Sequence, residues 1–167
     1  MNDVAREDAL ATLRDGDARI QELVRGLTPE QMTTPATIGG GEWSAKDLVG
    51  HLAFWEELAL EALAAWRAGK PFDTVTDADE LNAQNQVRKR DRSLEQILRE
   101  GRETHERLMA EIGARTDEEW SSPMPSDLPL PEILGKRLGG LTGASDGPFR
   151  HAFAHLGDLR AYVESLG

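Results

Sequence analysis

The chain has 167 residues, with 19 Lys and Arg against 30 Asp and Glu, and a net charge of −11. So acidic a surface repels phosphate backbones and anionic bilayers, which predicts no nucleic-acid and no membrane partner. No apolar run reaches the length of a membrane span, and the N-terminus "MNDVAREDAL" lacks the basic and apolar regions of a secretory leader, so a cytoplasmic protein is expected. There is no cysteine, which removes disulfides, thiolate metal sites and a cysteine nucleophile together; thiol chemistry would need a thiol from outside. The length suits a single domain, 1–167, with a sizeable core.

In chain order, Leu10, Leu13, Ile20, Leu23, Val24 and Leu27 recur at helical spacing, predicting a helix from about residue 4 to 26, capped by Asp3. "TPEQMTTP" follows, with Thr28 and Gln31 as a capping box and Pro29 at the first helical position: one short turn of helix. After the glycine-rich "ATIGGGEW", Ser44 with Asp47 opens a long helix carrying Leu48, Leu52, Trp55, Leu58, Leu63 and Trp66. Asp77 with Glu80 marks the start of the next helix, and "QVRKRDR" within it reads as a solvated charged face. Ser93 with Gln96 implies a break, after which Leu94, Ile97, Leu98, Leu108, Met109 and Ile112 form a stripe ending at Gly113. "TDEEWSSP" from Thr116 matches "TPEQMTTP" in residue type, 88 residues later, and suggests a weak internal repeat of two helical hairpins. Residues 121–147 are rich in Pro and Gly and are expected to be mostly irregular, an unusual length for a loop. Asp146 and Pro148 are expected to start the last helix, which runs to about Leu166. The resulting class is all-α: a four-helix bundle with one long crossover and a long irregular segment before the last helix.

Two of the four histidines stand in "HAFAHLGD". In a helix His151 and His155 share one face and can aim both imidazoles at one point. A zinc-type ion accepts neutral imidazole and often takes three protein ligands, leaving one position open. The spacing matches H-E-x-x-H, but Ala152 stands at the Glu position, so a metalloprotease is excluded. His51 leads as the third ligand, because it lies on the inward stripe with Leu48, Trp55 and Leu58; a hydrogen-bonded core histidine is the alternative. His105 shares a stripe with Leu98, Gly101 and Leu108 and reads as a half-buried histidine bonded to a neighbour; the alternative, a fourth ligand, would close the site.

These segments carry a resemblance. "EWSAKDLVGHLAFWEE" is similar to the second helix of the DinB-like (YfiT-type) superfamily, and "HAFAHLGDL" resembles its last helix. The resemblance implies a four-helix bundle that binds a divalent metal, zinc or nickel, through His51, His151 and His155. It also implies a thiol-dependent S-transferase or isomerase using bacillithiol, mycothiol or glutathione, or a hydrolase, acting on a small molecule. Asp158 stands where the superfamily has Gln; it is either placed to hold a ligand's N–H or an ordinary solvent-facing acid. "ELNAQNQ" and the helix after it also resemble ClbS-like bundles, which implies a protective, non-catalytic or metal-free alternative. Glu56 and Glu57 are weighed as a general base against plain surface solvation. Trp43, Trp55, Phe149, Phe153 and Tyr162 are weighed as pocket walls against core packing. Wide apolar arcs make a homodimer an expectation, with no interface to name.

Overall fold

In a computed structural model, residues 3–72 and 77–167 are described. They form α1 (Arg6–Arg25), α2 (Pro29–Thr33), α3 (Ala45–Arg67), α4 (Ala78–Lys89), α5 (Leu94–Gly113), α6 (Asp117–Trp120), α7 (Leu134–Leu141) and α8 (His151–Ser165). Among these residues there is no strand, only two isolated bridges, Pro123 with Ile133 and Ala144 with Gly147. The four long helices α1, α3, α5 and α8 make the all-helical bundle. α3 is central: it touches α2, α4, α5, α7 and α8, while α1 lies against α5 and α8. No described helix is long and apolar enough to cross a membrane.

Local chemistry explains most of the boundaries. Ser44 and Asp47, Ser93 and Gln96, Thr28 and Gln31, and Thr116 and Glu119 all form reciprocal capping boxes. Each satisfies two of the N–H groups that a helix start leaves open. The two matching octapeptides therefore fold alike, and the apolar residue of each, Met32 and Trp120, is buried. Asp77 caps α4 by accepting from the Glu80 N–H at 3.0 Å.

The structure differs from expectation in four places. α1 starts at Arg6 behind Ala5, which makes no side-chain cap, so Asp3 lies too far upstream to serve. "QVRKRDR" is not simply a solvated face: Lys89 is only 5 % exposed. Gly50 makes the room, since a Cβ there would sit 3.3 Å from Lys89 Cδ, and the ammonium reaches Glu57 at 2.9 Å and the Gly50 carbonyl at 3.1 Å. Within 121–147 an unexpected helix, α7, buries Leu134, Leu138 and Leu141. Its glycines read as breakers in sequence, yet Gly135 and Gly139 are packed under Trp120 and Phe149. Finally, α8 begins at His151, not at Asp146 or Pro148. Gly147 and Phe149 both have positive φ (140° and 61°), which no helix tolerates, and Asp146 accepts from Arg150 Nε at 2.7 Å instead of capping.

The core falls into two clusters. One gathers Leu10, Leu13, Trp55, Leu108, Leu138 and Phe149; the other gathers Ile20, Leu48, Ile97, Leu156, Leu159 and Tyr162. α1 and α8 approach closely at Gly16, where a Cβ would stand 3.0 Å from the Ala152 Cβ, and this seats the first turn of α8 against the bundle.

Candidate metal centre

The Ser44 cap fixes the start and phase of α3. Its inward face then presents Leu48, His51 and Trp55, all buried. The first turn of α8 presents His151 and His155, and the His151 N–H is anchored on the Thr142 carbonyl at 3.0 Å. His51 Nε2 lies 3.0 Å from His151 Nε2, and His155 Nε2 lies 3.2 Å from the same atom. The ligand atoms of the three residues lie within 4.8 Å of one another, and the group could hold a metal ion; it is the one such cluster found among the described residues.

The donor set fits an ion. A tetrahedral ion with metal–nitrogen bonds of about 2.0–2.1 Å separates its ligand nitrogens by about 3.3 Å, close to the 3.0 and 3.2 Å from His151 to the other two. Each neutral imidazole offers a given nitrogen either a proton or a lone pair. One N–H shared between two acceptors is the most the protein alone can provide here, whereas a cation satisfies all three lone pairs. Burial drives His51 down to about 2, with the neighbouring His151 and His155 adding to it and Asn82 opposing. Burial, with His155, takes His151 down to about 3, and burial lowers His155 against the pull of Asp158. All three are therefore neutral at pH 7, the form that binds metal. His51 Nδ1, which carries the hydrogen when Nε2 offers its lone pair, is buried and has no hydrogen-bond partner of normal geometry.

These depressed values set a pH dependence. Between pH 6.5 and the folded values the unfolded chain binds more protons, so stability rises with pH there and is lost as pH falls below 6.5. Each histidine contributes a slope of up to about 1.4 kcal/mol per pH unit. The metal-free protein is expected to lose stability steadily from pH 6 to pH 4, and His151→Ala to flatten that loss. Urea midpoints across the range check this; parallel curves for both proteins would contradict it.

Two aromatic rings frame the centre. The Trp43 ring lies 4.6 Å from His51 and 6.5 Å from His155. The Trp55 ring meets His151 edge-on at 6.2 Å, while its N–H donates to Asn82 Oδ1 at 2.9 Å. Tyr162 is elsewhere: two turns beyond His155, buried in the second core cluster, with its hydroxyl donating to the Gln31 carbonyl at 2.8 Å. It braces α2 and does not wall a pocket at the histidines. Phe149 stacks on Trp120 in the core, and Phe153 lies under Arg150. Asp158 is exposed and packs beside Gly39, close enough for its charge to raise His155.

The histidines have two different surroundings. On the His155 side an open cleft of about 440 Å³ is lined by Gly39, Glu42, Trp43, Gln86, His155 and Asp158. On the His151 side a narrow chamber of about 50 Å³ lies between α1, α3, α5 and α8, with Asp17, Gln21, Glu56, His105, Thr142 and His151 as its polar lining. His105 is bonded to a neighbour, as its stripe suggested: Nδ1 meets Glu56 Oε1 at 2.9 Å. Glu57 is tied to Lys89 and Arg88, both at 2.9 Å. Burial alone would raise its carboxyl, and the two cations outweigh that and hold it low. Sequence reasoning missed the roles of Asn82 and Asp17, neither of which carries a local signal.

The mycothiol maleylpyruvate isomerase N-terminal domain matches residues 13–139. The chain belongs to that family. The matched segment contains His51 and the Glu56–His105 pair and stops short of α8. The family lies within the DinB/YfiT-like superfamily that the sequence resembles. No curated protein matches in sequence. Among solved structures, an uncharacterised protein from Escherichia coli UTI89 superposes with a TM-score of 0.78 at 18% identity, over 96% of this chain and 94% of that one. The colibactin self-resistance protein ClbS, in complex with a dsDNA, gives 0.77 at 16%, over 98% of both chains. DfsB, a sibling lethal factor precursor, gives 0.72 at 13%, over 98% and 97%. At such identities the likeness is one of fold. It nevertheless corrects one expectation: a protein of this fold has been captured on duplex DNA, so the exclusion of nucleic acid from net charge fails. Net charge averages over a surface, whereas contact is decided by local potential.

Proposed function

We propose that this protein is a metal-dependent enzyme in which His51, His151 and His155 hold one divalent ion, zinc or nickel, and act on a small molecule in the adjoining cleft. The convergence of three Nε2 atoms, from a buried His51 and a half-buried His151 and His155, is the observation that carries this reading. Bound there, the ion would supply Lewis-acid activation of a water or of an externally supplied thiol, giving a nucleophile to a chain without cysteine. The protein's own part is positional. Trp43 and Trp55 fix the imidazole planes, Asn82 holds Trp55, and the Thr142 carbonyl holds the start of α8. Trp43, Gln86 and Asp158 shape the cleft where substrate meets the centre. The reaction class that fits is S-transfer or isomerisation with a low-molecular-weight thiol, or hydrolysis.

Metal analysis of purified protein tests this. One ion per chain is expected, lost in His51→Ala and His151→Ala, with turnover of an electrophile by glutathione, bacillithiol or mycothiol only in the loaded protein. Metal-free wild type of unchanged stability sinks the reading. The likeness to ClbS over nearly the whole chain supports a second one: a bundle that receives a small molecule in the same cleft without metal. Ligand binding by a protein that takes up no ion would select it.

A further inference from the structure

We propose that Glu56 and His105 are an internal acid–base pair that serves the histidine centre through the chamber beside His151; this rests on the metal reading above. Glu56 is a carboxyl on the central helix with no Lys or Arg on it among the described residues, in contrast to its neighbour Glu57, which has two cations. Its hydrogen-bond partner is His105 on α5 at 2.9 Å, whose other nitrogen lies 3.8 Å from Asp17 on α1. Burying a carboxylate with so little compensation is costly. Core packing gives no return for that cost, because the group lines a cavity. The chamber's volume suits roughly two waters, and its polar lining supplies the partners such waters need.

The two surroundings of the histidines then divide the work. Substrate reaches the centre from the cleft, and protons leave by the chamber. When a water or thiol at the centre is activated, its proton passes to a chamber water, and that water gives one of its own to a Glu56 oxygen. The electron pair left on oxygen or sulfur is the nucleophile, and the carboxylic acid formed stays hydrogen-bonded to His105. The proton returns along the same path to the leaving group. No redox change occurs.

The charges facing this pair are Asp17 from α1 and Glu106 on α5, and the neutral His151 from α8 lines the same chamber. Burial raises the Glu56 carboxyl towards neutrality, and the His105 contact only partly offsets this. Burial would lower His105, but the Glu56 hydrogen bond and charge, with Asp17 and Glu106, outweigh it and raise it. A carboxyl raised in this way takes up a proton more readily than a solvated one, as an acid–base group must.

The test uses cobalt(II) as the ion, because its visible spectrum reports ionisation at the centre. Wild type, Glu56→Gln and Glu57→Gln are loaded and titrated with acid and base. An ionised Glu56 opposes loss of a proton from the centre, so Glu56→Gln is expected to move the spectral transition to lower pH, at least three-fold in proton concentration. Glu57→Gln is expected to leave it in place. If Glu56→Gln does not fold, carbon-13 NMR of wild-type glutamate carboxyls decides: zinc is expected to lower the titration midpoint of Glu56, by the reciprocity of linkage, and to leave that of Glu57 in place. Coincident cobalt curves, or a Glu56 midpoint indifferent to zinc, overturn this proposal alone. A wild-type protein that takes up no ion overturns the metal reading and this inference with it.

Discussion

Zinc or nickel at a free concentration about 1,000 times its Kd is expected to raise the Tm of the metal-free protein by about 8–16 °C, and to leave His151→Ala where it was. The magnitude follows from linkage: binding to the folded state alone adds about 4.1 kcal/mol at that concentration, and a chain of this size gains about 2–4 °C per kcal/mol. The ligands come from α3 and α8, 100 residues apart in sequence for His51 and His151. Their geometry exists only in the folded bundle, so little of the affinity survives unfolding. His151→Ala removes the nitrogen that both other imidazoles approach. Without metal that substitution relieves facing lone pairs, so its own cost should be small. A thermal scan with and without ion distinguishes a metal site from a histidine cluster in the core, for which added ion would move neither protein.

The fold and the histidine group were legible in the sequence for different reasons. Helix starts were written in short range: Ser44, Ser93, Thr28 and Thr116 each sit three residues before a side chain that answers them. His151 and His155 share a face by helical period alone, and His51 could be added from its inward stripe. What escaped was long-range. Nothing near Lys89 tells that Gly50, 39 residues away, leaves room for its stem. Nothing near Glu56 tells that α5 brings His105 to it and a cavity beside it. The aromatic residues divided in the same way: Trp43 and Trp55 reached the histidines, whereas Tyr162 went to the core, two turns along the helix that carries His155.

Leu138→Ala is expected to destabilise the protein by about 2–5 kcal/mol, the range for a buried leucine whose cavity cannot collapse. Leu138 is fully buried, in the helix that the glycine-rich sequence concealed. Its surroundings are rigid: Gly139 lies so close to Pro148 and Phe149 that a Cβ there would meet them at 2.8 and 2.9 Å. The effect should also reach the histidines. The Gly139 carbonyl accepts from the Phe149 N–H at 3.2 Å and the Thr142 carbonyl from the His151 N–H at 3.0 Å, so α7 sets where α8 begins. Leu138→Ala should therefore weaken ion uptake as well as stability, although it touches no histidine. Leu130→Ala, in the same Pro- and Gly-rich stretch but 87% exposed, should cost no more than about 0.5 kcal/mol and leave uptake unchanged. Denaturant melts and metal titrations of the two variants separate a segment that is merely long from one that carries the first turn of the last helix into place. Equal, small effects from both would mean that α7 does not position His151.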